Sequence, residues 1–87
     1  MEKTIKIAVP KEKEAMAIAI TVQKANKYES RIYIHCNGAK MNAKSIVGMM
    51  SLDVSNGSEI MISTAGTDEV QAMMELERFL TGGMSEK

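Results

Sequence analysis

Apolar and polar positions alternate from Thr4 to Val9, with Ile5, Ile7 and Val9 on one side and Thr4, Lys6 and Ala8 on the other. That period belongs to a half-buried strand. Pro10 ends it, and Lys11-Glu12-Lys13 reads as a solvated connection. From about Glu14 to Lys27 the period lengthens to that of a helix, with Ala15, Ile18, Ala19, Val22 and Ala25 forming a stripe and Gln23, Lys24 and Lys27 away from it. Alternation returns over Arg31 to Cys36, placing Ile32, Ile34 and Cys36 inward and Arg31, Tyr33 and His35 outward. Asn37-Gly38 tolerates the positive φ of a tight hairpin turn and leads into a short return strand, about Ala39 to Asn42. Asn56-Gly57 turns the chain into a fourth strand, Glu59 to Ala65, with Ile60 and Ile62 inward, and Gly66 breaks it. Thr67 or Asp68 then caps a last helix whose buried side is expected from Val70, Met73, Met74, Leu76 and Leu80. Gly82-Gly83 stops that helix, and Met84 to Lys87 is expected to fray.

Between the second hairpin strand and the Asn56 turn lies Asn42-Ala43-Lys44-Ser45-Ile46-Val47-Gly48-Met49-Met50-Ser51-Leu52. Ser45 is placed as a helix N-cap, since its hydroxyl can accept from a backbone N–H two or three residues on. The helix is short because Asp53, Ser55, Asn56 and Gly57 are turn formers. At about 100° per residue, Ile46, Val47 and Met50 share one face and Met49 and Leu52 fall on nearly the opposite one. A two-turn helix at the edge of a small domain buries one such face more readily than both, which leaves the other for a partner. Spacing alone leaves open the alternative that both faces are core. The element order β-α-β-β-α-β-α predicts a two-layer α+β sandwich with three helices on one face of a four-stranded sheet.

At 87 residues the chain is expected to form a single domain, residues 1–87, with a modest core. Its formal net charge of zero gives no reason to expect nucleic acid or an anionic membrane surface as a partner. The single cysteine, Cys36, excludes an internal disulfide and fits a reducing, cytoplasmic compartment. No apolar run reaches the roughly 18 residues of a membrane span, and no signal-peptide core is present. Nine methionines against one Phe and no Trp suggest adaptable packing, in the core and in contact faces. His35 has no Cys, Asp or Glu at metal-ligand spacing, and no catalytic dyad or phosphate-cradling glycine loop can be assembled. A metal, a cofactor and enzymatic activity are therefore not expected.

The run Asn42 to Leu52, together with Val22-Gln23-Lys24-Ala25-Asn26-Lys27-Tyr28, Asn37-Gly38 and Asn56-Gly57, resembles the histidine-containing phosphocarrier (HPr) family of the bacterial sugar phosphotransferase system. Within it the chain looks most like the regulatory, Crh-like members. The resemblance implies an open-faced β-sandwich with antiparallel strand order 1-4-2-3. It also implies phosphorylation of Ser45 by the bifunctional HPr kinase/phosphorylase, and docking through Ile46, Val47 and Met50 on a LacI-type catabolite control regulator. The family carries phosphate on a histidine at the start of the first helix. Aligned through Val22-Gln23, Glu14 stands at that histidine and Met16 at the family's arginine. A phosphohistidine needs a nucleophilic imidazole and cationic support, so the resemblance implies a regulatory protein that is not a histidine phosphocarrier. Met16 also puts regulator affinity in question. Glu14 as a mimic of the phosphorylated histidine is the weaker account, because an acid in a first helical turn is stabilising by itself. Two other readings stay open: an unphosphorylated module that binds a metabolic enzyme or transporter, or itself as a weak homodimer, and, more remotely, a true phosphocarrier.

Overall fold

A computed structural model of the chain describes residues 1–51 and 57–82. The expectations for Leu52, for the Asn56 half of its turn and for the chain beyond Gly82 lie outside the described residues. The elements are β1 (Glu2–Lys6), α1 (Glu14–Ala25), β2 (Arg31–Cys36), β3 (Ala39–Asn42), α2 (Ile46–Met50), β4 (Glu59–Ala65) and α3 (Glu69–Leu80). The four strands form one antiparallel sheet in the order β1-β4-β2-β3. Ile5 pairs with Ile60 and Ile34 with Ile62, so the inward side chains of neighbouring strands fall in one layer. The helices cover that layer, and Ile32, Ile34, Ile60 and Ile62 pack with Val22, Ala25, Met49, Ala72, Met73, Leu76 and Leu80 in one core.

The first hairpin follows its dipeptide: Asn37 has φ 52° and Gly38 φ 82°, the left-handed pair of a type I′ turn. Elsewhere tertiary packing moved the boundaries. β1 covers residues 2–6 rather than 4–9, yet Ile7 and Val9 remain buried beyond its end. The Ile7 N–H donates to the Ser58 carbonyl, the Gly57 N–H to the Ile7 carbonyl and the Ala8 N–H to the Leu80 carbonyl, each at 2.8 Å. These irregular bonds satisfy the backbone where ladder pairing stops. Lys11–Lys13 closes a single 3-10 turn with no buried residue.

The buried face of α1 is also rotated from expectation. Ala17, Thr21, Val22 and Ala25 are buried, Ile18 is half-buried, and Ala15 is exposed. Thr21 tolerates this because its hydroxyl donates to the Ala17 carbonyl at 2.8 Å. In α3 the buried residues are Ala72, Met73, Leu76 and Leu80, whereas Val70 and Met74, expected inward, are exposed. Asp68 occupies the N-cap position of α3 without capping it. Its carboxylate instead accepts from the Glu29 N–H, the Ser30 N–H and the Ser30 hydroxyl. The Ser30 hydroxyl, followed by the Glu29 N–H, holds the Asp68 carboxyl below its usual pKa. That junction leaves no space at Gly66, where a Cβ would lie 2.7 Å from the Ser30 Cα.

Candidate functional site

The polypeptide leaves β3 through a tight turn built by Asn42. Its side-chain carbonyl accepts from the Lys44 N–H at 2.9 Å, and its main-chain carbonyl accepts from the Ser45 N–H at 3.0 Å. Ala43 is fully buried and donates to the Ile32 carbonyl at 2.8 Å, which ties the turn to β2. Ser45 then takes an extended conformation, φ −103° and ψ 112°, and its hydroxyl accepts from the Gly48 N–H at 3.2 Å. This is the side-chain N-cap expected from the sequence. At the other end, the Ser51 hydroxyl donates to the Gly48 carbonyl at 2.6 Å. The two serines thus close the two ends of a five-residue helix through one glycine.

Burial separates the faces of α2. Met49 is 3% exposed and belongs to the core, while Ile46 is 44%, Val47 80% and Met50 51% exposed. Ser45 is exposed beside them. The alternative in which both faces are core is excluded for these residues.

Neither nearby lysine is arranged as a counter-ion for Ser45. The Lys44 ammonium donates to the Tyr28 carbonyl at 2.6 Å, and the Lys40 ammonium lies 4.4 Å from the centre of the Tyr33 ring. The Lys44 carbonyl accepts from the Asn26 side-chain amide at 3.1 Å. Tyr28 in turn donates its hydroxyl to Glu75 on α3. Glu75 also accepts from Lys24 at 2.8 Å and from Lys27 at 3.1 Å. These donors, Lys24 first, outweigh partial burial and lower the Glu75 carboxyl pKa to about 2. Donation to Glu75 pushes the Tyr28 hydroxyl up to about 12. Sequence inspection missed this cluster, because its bonded partners are 16 to 51 positions apart and no local motif announces the pairing.

The start of α1 has a different chemistry. Glu12 and Met16 are exposed and Glu14 is half-buried, with its N–H on the Lys11 carbonyl. Glu14 is among the residues lining a small apolar cavity of about 20 Å³, with Ile7, Val9, Ala17 and Thr21. No imidazole or guanidinium stands in the segment. His35, the chain's single histidine, is on β2, half-buried, with Nε2 3.3 Å from the Ser63 hydroxyl oxygen. Cys36 is buried as a small apolar side chain. Among the described residues no cluster of three or more His, Cys, Asp or Glu could hold a metal ion, and no helix is long and apolar enough to cross a membrane.

Comparison with known proteins bears on this arrangement along nearly the whole chain. The chain is 41% identical over 80 residues to the HPr-like protein Crh of Halalkalibacterium halodurans, covering 92% of this chain and 95% of that protein. It superposes with a TM-score of 0.90 on HPr-C-His from Thermoanaerobacter tengcongensis, 37% identical, covering 100% of this chain and 98% of that one. The crystal structure of Bacillus subtilis Crh, described as a domain-swapped dimer, gives a TM-score of 0.71 at 37% identity, covering 87% of this chain and 83% of that one. Residues 1–82 match the family described as the PTS HPr component phosphorylation site. With a strand order, a capped serine segment and a family match that agree from Met1 to Gly82, the chain belongs to the HPr family of the phosphotransferase system.

Proposed function

We propose that this protein acts in carbon catabolite control through phosphorylation of Ser45 by an HPr kinase/phosphorylase. The phosphoserine and the face made by Ile46, Val47 and Met50 then dock together on a LacI-type regulator or a metabolic enzyme. The chain is a regulatory, non-catalytic member of its family and not a histidine phosphocarrier. The observation that carries the phosphoserine reading is the placement of an exposed capping serine directly beside an exposed apolar face, on a helix whose opposite side is anchored in the core by Met49.

Phosphorylation adds a charge of about −1.5 to −2 and three acceptor oxygens without any need to remodel the core. Backbone N–H groups at the start of α2 favour the added anion. Because Lys44 and Lys40 are committed elsewhere, the partner must supply the cations that recognise the phosphate. A surface that presents cations beside an apolar groove would discriminate the phosphorylated from the unphosphorylated form. The exposed face is present without phosphate, which supports the second reading, a constitutive docking module that pairs with an enzyme or weakly with a second copy.

The deciding experiment incubates the protein and its Ser45→Ala variant with HPr kinase/phosphorylase and ATP, locates phosphate by mass spectrometry, and measures binding to the regulator. One phosphate on Ser45 and tighter binding of the phosphoprotein are expected. Absence of phosphate, or equal binding of both forms, would leave Ser45 as a helix cap and favour the constitutive module.

A further inference from the structure

Residue 44 is gripped on three sides immediately before the exposed serine. Its N–H donates to the Asn42 side chain, its carbonyl accepts from the Asn26 side chain at 3.1 Å, and its ammonium donates to the Tyr28 carbonyl at 2.6 Å. Asn26 is itself fixed, since the same amide nitrogen donates to the Val22 carbonyl at 2.8 Å. Tyr28 is fixed through its hydroxyl on Glu75. The end of α1 and the turn that carries Ser45 are therefore joined by two side-chain bonds running in opposite directions, Asn26 to residue 44 and Lys44 to residue 28.

We propose that Asn26 and Lys44 are positioning residues for phosphoryl transfer to Ser45, a proposal that rests on Ser45 being the acceptor. In the transfer the Ser45 hydroxyl gives its proton to a base of the kinase, the Oγ–P bond forms, and the bond between the γ-phosphorus of ATP and its bridging oxygen breaks as ADP leaves. Asn26 and Lys44 exchange no proton or bond in this step. They hold residue 44, whose carbonyl belongs to the Lys44–Ser45 peptide, against the end of α1 and the residues just beyond it, so that the hydroxyl is offered at one place and in one direction. Such pre-organisation raises the rate of the chemical step rather than the affinity of the encounter. The charge of Lys44 serves a neighbouring carbonyl, a charge-assisted bond, and does not wait for the phosphate.

The test compares the full-length wild type with Asn26→Ala, Lys44→Met and Lys44→Arg in steady-state phosphorylation by HPr kinase/phosphorylase, with mass spectrometry locating the phosphate. Asn26→Ala and Lys44→Met are each expected to lower kcat by roughly tenfold to a hundredfold with KM changed less than about twofold, because a displaced acceptor slows chemistry more than binding. Lys44→Arg keeps a donor within reach of the Tyr28 carbonyl and is expected to recover most of the rate. Amide exchange across residues 42–48 should quicken in both slow variants. If Lys44→Met fails to fold, Asn26→Ala carries the test alone, since it leaves every charge in place. Wild-type kcat in Asn26→Ala, or a defect confined to KM, overturns the clamp while leaving Ser45 as the acceptor. A wild-type chain that takes up no phosphate on Ser45 overturns both.

Discussion

The starts of α1 and α2 present opposite solutions to the same electrostatic problem. Each helix begins with backbone N–H groups that have no intrahelical partner and a positive dipole end. At α1 the N-cap is Lys13, which makes no side-chain cap bond, and the first turn carries the carboxylate of Glu14. At α2 the N-cap is Ser45, whose hydroxyl binds the Gly48 N–H, and the first turn holds no acid. The Glu14 charge complements its own helix, worth about 0.3–1 kcal/mol, and repels any phosphate that approaches. The serine satisfies its helix with a neutral group that can still be esterified. What a helix start can do with an anion is thus decided by the one or two side chains at its first turn.

The largest expected difference between the two starts is in phosphate donor. Phosphoenolpyruvate with phosphotransferase enzyme I should leave this protein unlabelled, whereas ATP with the kinase labels Ser45. Glu14→His alone should recover little transfer, because Met16 still stands where cationic support is needed. An acid-labile, base-stable phosphate on the wild type would erase the contrast.

A second test uses the two methionines of α2. Met49→Asp puts an unpaired charge into the core and should cost roughly 3–5 kcal/mol in denaturant unfolding. Met50→Asp, on the exposed face, should stay within about 0.5 kcal/mol of wild type while abolishing partner binding. A large drop in the melting temperature of Met50→Asp would show that this face is not free.

A third bears on the segment just beyond α1, where the Tyr28 carbonyl holds Lys44 in the turn before α2. Its donors lower the Glu75 carboxyl pKa from 4.5 to about 2 in the folded protein. The folded state therefore binds its proton less readily than the unfolded chain does. The resulting stability is present above about pH 4.5 and is lost as pH falls through about 2; after discounting for partial solvent access it amounts to roughly 1–3 kcal/mol. On the alkaline side the sign reverses. Tyr28 is raised from 10.0 to about 12, so its contribution is present below pH 10 and is lost as pH rises toward 12. One Tyr28–Glu75 bond contributes to both shifts and is counted once. Chemical denaturation across pH should show both slopes in the wild type, and Glu75→Gln should flatten them. Unchanged slopes in that variant would remove Glu75 from the account.

The smallest effect is that of the cap itself. Ser45→Ala should lose about 1 kcal/mol or less, readable as a shift in unfolding midpoint, since α2 is also pinned by Met49. A loss of several kcal/mol would mean that Ser45 is structural before it is anything else.

Much of this was legible along the chain, and for definable reasons. In β2 the order Ile32, Tyr33, Ile34, His35, Cys36 has strict period two and strong contrast, and the observed burial alternates with it. In α2 the placing of Met49 and Met50 on different faces followed from 100° per residue, and burial then chose Met49 for the core. Where contrast is weak the pattern misled. Small alanines at 15, 17, 19 and 25 fit more than one stripe of α1, and packing on the sheet chose Ala17 and Thr21 over Ala15. In α3, Val70 and Met74 are as apolar as their buried neighbours, and only the position of the helix over β4 left them outside.

Local pattern settled the order of the elements, the division of α2 into an Ile46, Val47 and Met50 face and a Met49 face, and the absence of carrier chemistry at the start of α1. Those properties depend on residues within one or two turns of each other. The tertiary structure decided the rest: that Asp68 holds Ser30 instead of capping α3, and that Lys44 is a tether and not a counter-ion. It also joined Asn26 to the serine turn. A side chain with several possible partners takes the one that the fold brings within about 3 Å of it. No local pattern encodes which one that is.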